Sequence, residues 1–80
     1  MLNKIIVKLI EEYIRTYYDL DVRITYIKNE KYKIFVKHYY MYYSEYVKVY
    51  ESPNLQWLLF NSEEQDKLNN RINEFITFLK

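Results

Sequence analysis

Cysteine, glycine and alanine are absent from this 80-residue chain, and proline and histidine occur once each. Without cysteine there is no disulfide framework, no thiolate metal ligand and no cysteine nucleophile. Without glycine there is no phosphate-cradling loop and no nucleophile elbow, and the tightest hairpin turns are disfavoured. A single histidine leaves no convergent set of metal ligands, and no Asp/Glu group has ligand spacing, so neither metal nor cofactor is expected. Charge of one sign is missing too: 12 basic and 11 acidic residues give a net charge of +1. A protein that neutralises many duplex phosphates carries a larger basic excess.

Long apolar runs are also lacking. Trp57-Leu58-Leu59-Phe60 is far short of a membrane span. The N-terminal segment is broken by Lys4, Lys8, Glu11, Glu12 and Arg15, so it has no continuous apolar region of the secretory kind. These features lead to the expectation of a soluble cytoplasmic protein with no membrane partner.

What is present is apolar and aromatic. Half of the residues are hydrophobic, 20% are aromatic, and 11 are tyrosine. That composition suits one small domain over residues 1–80, stabilised by apolar burial alone. Ile, Lys, Asn, Tyr and Phe, whose codons are AT-rich, dominate the chain, while Gly and Ala, whose codons are GC-rich, are missing. An AT-rich small gene points to a virus, phage or other mobile element, which would place the protein in a host cytoplasm.

Hydrophobic periodicity orders the chain. Leu2, Ile5, Ile6, Leu9, Ile10, Tyr13, Ile14 and Tyr17 follow one helical face, predicting a helix over 3–18 capped by Asn3. After Asp19 the period becomes two: Leu20, Val22, Ile24 and Tyr26 alternate with polar residues, predicting a strand. Asn29-Glu30-Lys31 reads as a turn. Tyr32, Ile34, Val36 and His38 form one face of a second strand, and Lys33, Phe35, Lys37 and Tyr39 the other. Tyr40-Met41-Tyr42-Tyr43-Ser44 either extends that strand or turns. A third strand over 45–51 puts Val47 and Val49 on one face and Tyr46, Lys48 and Tyr50 on the other. Ser52-Pro53 resembles an N-cap followed by an N1 proline, opening a short helix over 53–60; a fourth strand over 55–60 is the alternative. Ser62 and Gln65 form a capping box, and Leu68, Ile72, Phe75, Ile76 and Leu79 the buried stripe of a last helix.

The expected fold is therefore α+β: an N-terminal helix, a three-stranded antiparallel meander and a C-terminal helix, with the helices on one sheet face. Leu20, Val22, Ile24, Ile34, Val36, Val47 and Val49 would be covered. Arg23, Ile27, Lys33, Phe35, Lys37, Tyr39, Tyr46, Lys48 and Tyr50 would face outward. From that face Lys33, Phe35, Lys37, Tyr39, Tyr46, Lys48 and Tyr50 are the candidate partner-binding residues, with Tyr40, Tyr42 and Tyr43 as additional contacts. Tyrosine offers rigid contact area with a polar tip, and lysines between aromatics can hold phosphates. Tyrosine also covers exposed strands without any ligand. His38, on the inner face, reads as a core residue, and the acidic residues from Glu63 to Asp66 read as helix-start charges. No residue set reads as catalytic.

An α-β-β-β-α order is also that of double-stranded-RNA-binding domains. Those carry lysines where this chain has Ser62-Glu63-Glu64-Gln65-Asp66, so the resemblance is rejected. The layout is similar to that of small phage-encoded inhibitors of Cas nucleases, at the level of fold alone. The expected function is a non-enzymatic inhibitor, anti-CRISPR-like, that occludes a host protein. A nucleic-acid-binding regulator using the same face, and a self-assembling protein that forms homodimers, are the alternatives.

Overall fold

A computed structural model describes residues 4–26, 31–38 and 45–78. The expected α+β fold is what it shows: α1 (Lys4–Tyr18), β1 (Leu20–Tyr26), β2 (Tyr32–His38), β3 (Val47–Ser52), α2 (Trp57–Phe60) and α3 (Ser62–Phe78). The strands form an antiparallel sheet in the order β1-β2-β3. Residues 55–60 thus contain a short helix and no strand. Asn3, the 29–31 turn apart from Lys31, residues 39–44 and Leu79 lie outside the described residues.

One hydrophobic cluster joins the helices to the sheet. Ile6, Ile10 and Ile14 from α1, Leu20, Val22, Ile34, Val36, Val49 and Tyr50 from the sheet, and Leu58, Leu68, Ile72 and Phe75 from α2 and α3 all belong to it. α1 packs over β1 and α3 over β3. His38 lies on this inner side, its ring stacked at 5.1 Å on Phe75.

The α1 stripe is narrower than the sequence spacing predicts. Ile5 is 73% exposed, Leu9 50% and Tyr17 74%. The buried arc is centred on Ile6, Ile10 and Ile14, which leaves Ile5 and Leu9 on its flank.

Helix ends also differ from the expected pattern. Asn61, and not Ser62, caps α3: its Oδ1 accepts the backbone N–H groups of Glu63 at 3.0 Å and Glu64 at 3.2 Å. Gln65 instead donates its side-chain amide to the Leu58 carbonyl at 2.8 Å. Pro53 is not the first residue of a helix. The Ser52 hydroxyl bridges both backbone groups of Asn54, and Asn54 Oδ1 accepts the Gln56 N–H, making a polar turn before α2.

α1 ends at Asp19, whose φ of 53° is left-handed and whose N–H donates to the Arg15 carbonyl at 3.0 Å. Glycine normally fills this position because it has no Cβ to clash. Asp19→Gly should therefore stabilise the fold by about 0.5–1 kcal/mol, read as a higher urea midpoint at neutral pH. A lower midpoint would contradict this account of the helix end.

Candidate functional site

Strand pairing decides which side chains share the outer sheet face. Asp21 lies opposite Lys37, Arg23 opposite Phe35, and Thr25 opposite Lys33. Across the other ladder Lys33 lies opposite Glu51, and Phe35 opposite Lys48. Phe35 is therefore central, half-buried, and ringed by Arg23, Lys33, Lys37 and Lys48.

Tyr46 precedes β3 and reaches across to β1. Its hydroxyl donates to Asp21 Oδ2 at 2.6 Å. The Arg23 guanidinium carbon lies 5.5 Å from its ring centroid and Lys37 Nζ 5.1 Å, both within cation–π range. The bond to Asp21, then burial and the Asp21 charge, raises the Tyr46 pKa above the usual tyrosine value, while Arg23 and Arg15 oppose the rise.

The face is unevenly compensated. Lys48 pairs with Glu51 at 3.6 Å, and Arg15 approaches Asp21 at 4.0 Å. Among the described residues Arg23, Lys33 and Lys37 form no ion pair. The outer face thus carries excess positive charge around one aromatic centre, although the whole chain is nearly neutral.

Tyr50 does not belong to this face. The β2–β3 register shifts between Ile34 and Phe35, leaving Val49 as the extra residue of a bulge. Strict alternation holds up to Val49 and reverses after it. Val49 and Tyr50 are both buried, Tyr50 at 8% exposure, and Ser52 follows them inward. The Tyr50 hydroxyl donates to Glu64 Oε2 on α3 at 2.6 Å. Val47 departs from expectation differently: it pairs with inward-facing Val36 but opens β3 beyond the helix cover, and is 42% exposed.

Of the expected site residues, Lys33, Phe35, Lys37, Tyr46 and Lys48 come together, and Tyr50 is excluded. Tyr39, Tyr40, Tyr42 and Tyr43 lie outside the described residues. Arg23 and Asp21 join the site. Their parity with Lys33 and Lys37 was visible in the sequence, but the Asp21–Tyr46 bond had no sequence signal.

Among the described residues no group of three or more His, Asp or Glu side chains could hold a metal ion. Nor is any helix among them long and apolar enough to cross a membrane. No protein-family model matches the chain, and no curated protein and no solved structure matches it.

The Tyr50–Glu64 bond has a pH signature. Burial first, and then this bond, pushes the Tyr50 hydroxyl up to about 12. The same bond, followed by Lys67, holds the Glu64 carboxyl below its ordinary value. A raised tyrosine stabilises the fold fully below its unfolded value of 10.0 and loses that contribution as pH climbs towards about 12. A lowered carboxyl contributes above its unfolded value of 4.5 and loses that contribution as pH falls through the depressed folded value. Tyr50→Phe should therefore flatten both limbs of the stability–pH curve while keeping the core filled; a variant whose urea midpoint falls towards both pH extremes as steeply as that of the wild type would contradict the assignment. Tyr50→Ala opens a cavity costing about 3–5 kcal/mol, so a variant truncating Tyr46 and Tyr50 together reports on folding before it reports on binding.

Proposed function

We propose that the protein is a non-enzymatic binding protein whose outer sheet face masks an acidic patch on a partner protein. The observation that carries this reading is the row of cations that form no ion pair among the described residues, Arg23, Lys33 and Lys37, set around Phe35 on a sheet face that the described helices leave uncovered. Charge of one sign on a shaped surface speeds encounter and selects against like-charged partners, while the aromatic centre supplies the desolvated contact. The lone histidine, His38, packs on Phe75 on the inner side and is remote from this face by parity.

The AT-rich composition favours an inhibitor encoded by a mobile element, occluding a host protein such as a CRISPR effector. Single-stranded nucleic acid is the weaker ligand for the same face. Base stacking needs an open ring face, whereas the Tyr46 ring is already engaged by Arg23 and Lys37, and Phe35 is half-buried.

Replacing Lys33 and Lys37 by Glu should leave helix and strand content intact by circular dichroism. Partner affinity in host lysate should fall by about a hundredfold or more, equally with and without nuclease. Undiminished capture by the folded double variant would overturn the assignment of this face. Capture lost on nuclease treatment would move the ligand to nucleic acid.

A further inference from the structure

The helical layer has an unsatisfied surface of its own, on the other side of the sheet from the cationic face. α1 sits on β1 and α3 on β3, so the two helices cover different strands of one sheet face. Hydroxyls bridge them: Tyr13 and Tyr18 both donate to Asn69 Oδ1, at 2.9 and 2.7 Å. Beside that bridge lies a mainly apolar groove of about 250 Å³, lined by Leu9, Ile10, Tyr13, Leu58, Leu59 and Leu68. Leu9 is half exposed at its rim, and Ile5, one turn earlier on the same flank, is 73% exposed. Surface apolar residues scattered singly are ordinary, but a row of them bordering a groove marks a contact surface.

The charges along α1 identify the occupant. Lys4 and Lys8 stand in its first half, Glu11 and Glu12 in its second. Glu11 is engaged by Arg15 at 3.9 Å, whereas among the described residues Lys8 and Glu12 form no ion pair. Both are exposed and close to the Ile5–Leu9 flank. A two-fold interface must be complementary to itself, since the same patch meets its own copy reversed. Two α1 helices crossing antiparallel at Leu9 meet this condition: each Lys8 falls within one turn of the other copy's Glu12, and the Ile5–Leu9 rows face each other. A parallel arrangement would set lysine against lysine.

We infer that the protein forms a two-fold homodimer through the Ile5–Leu9 flank of α1 and the adjoining groove, with reciprocal Lys8–Glu12 pairs across the axis. This interface uses the helical layer and leaves both outer sheet faces uncovered, so the dimer would present two cationic faces, one per copy. The inference does not depend on the ligand of those faces.

Sedimentation equilibrium of the full chain, from micromolar to millimolar concentration, tests it. The wild type should dimerise within that range, and Leu9→Glu, at a half-exposed position, should weaken dimerisation by about a hundredfold without loss of helix by circular dichroism. Lys8→Glu and Glu12→Lys should each weaken it by about tenfold. Association should return when the two single variants are mixed, and in the double variant that carries both changes. A wild type that stays monomeric throughout overturns the inference. So does a dimer indifferent to Leu9→Glu, or one in which the swapped charges restore nothing. Binding by the cationic face is read separately through Lys33→Glu/Lys37→Glu, which should leave the dimer constant unchanged.

Discussion

A three-stranded sheet this small can support one core, and the position of that core governs the rest of the molecule. Ile14, Leu20, Ile34, Val36 and Ile72 are essentially inaccessible to solvent, all between the helices and one sheet face. With no disulfide available, burial of these side chains is what holds the elements together. Because α1 and α3 are both committed to the inner face, the outer face is left to polar and half-buried side chains. Its charge can then be arranged for contact without conflict with folding.

The tyrosines serve this arrangement in an unexpected way. Four tyrosine hydroxyls tie separate parts of the chain together. Tyr50 links β3 to Glu64 on α3, Tyr13 and Tyr18 link α1 to Asn69 on α3, and Tyr46 links the lead into β3 to Asp21 on β1. A chain without cysteine can use such tips as directed cross-connections, since a buried phenol loses less when its hydroxyl finds a partner. These four tyrosines are thereby accounted for by folding. What distinguishes the outer face is the set of cations around Phe35.

The element order, both strand faces before Val49, and the inner position of His38 were legible because periods of 3.6 and 2 are properties of the backbone. Three things were not. The bulge at Val49 is unmarked by any glycine, and the residues after it look as regular as those before, so strict alternation puts Tyr50 on the wrong side. Asn61 and Ser62 are both good caps, and only the chain's entry from α2 chooses between them. The apolar stripe of α1 is wider than the sheet can cover, and sequence spacing cannot tell core from exposed flank. Within the site, Lys33, Phe35, Lys37, Tyr46 and Lys48 followed from parity alone, while the Asp21 anchor for Tyr46 required the third dimension.

The central claim is that contact with a partner is made by the outer sheet face. Lysine acetylation footprinting tests it most directly, comparing the free protein with the captured complex by mass spectrometry. The account predicts that Lys33 and Lys37 lose reactivity in the complex while Lys67, on the exposed side of α3, keeps it. Protection of Lys67 with Lys33 and Lys37 still reactive would contradict it.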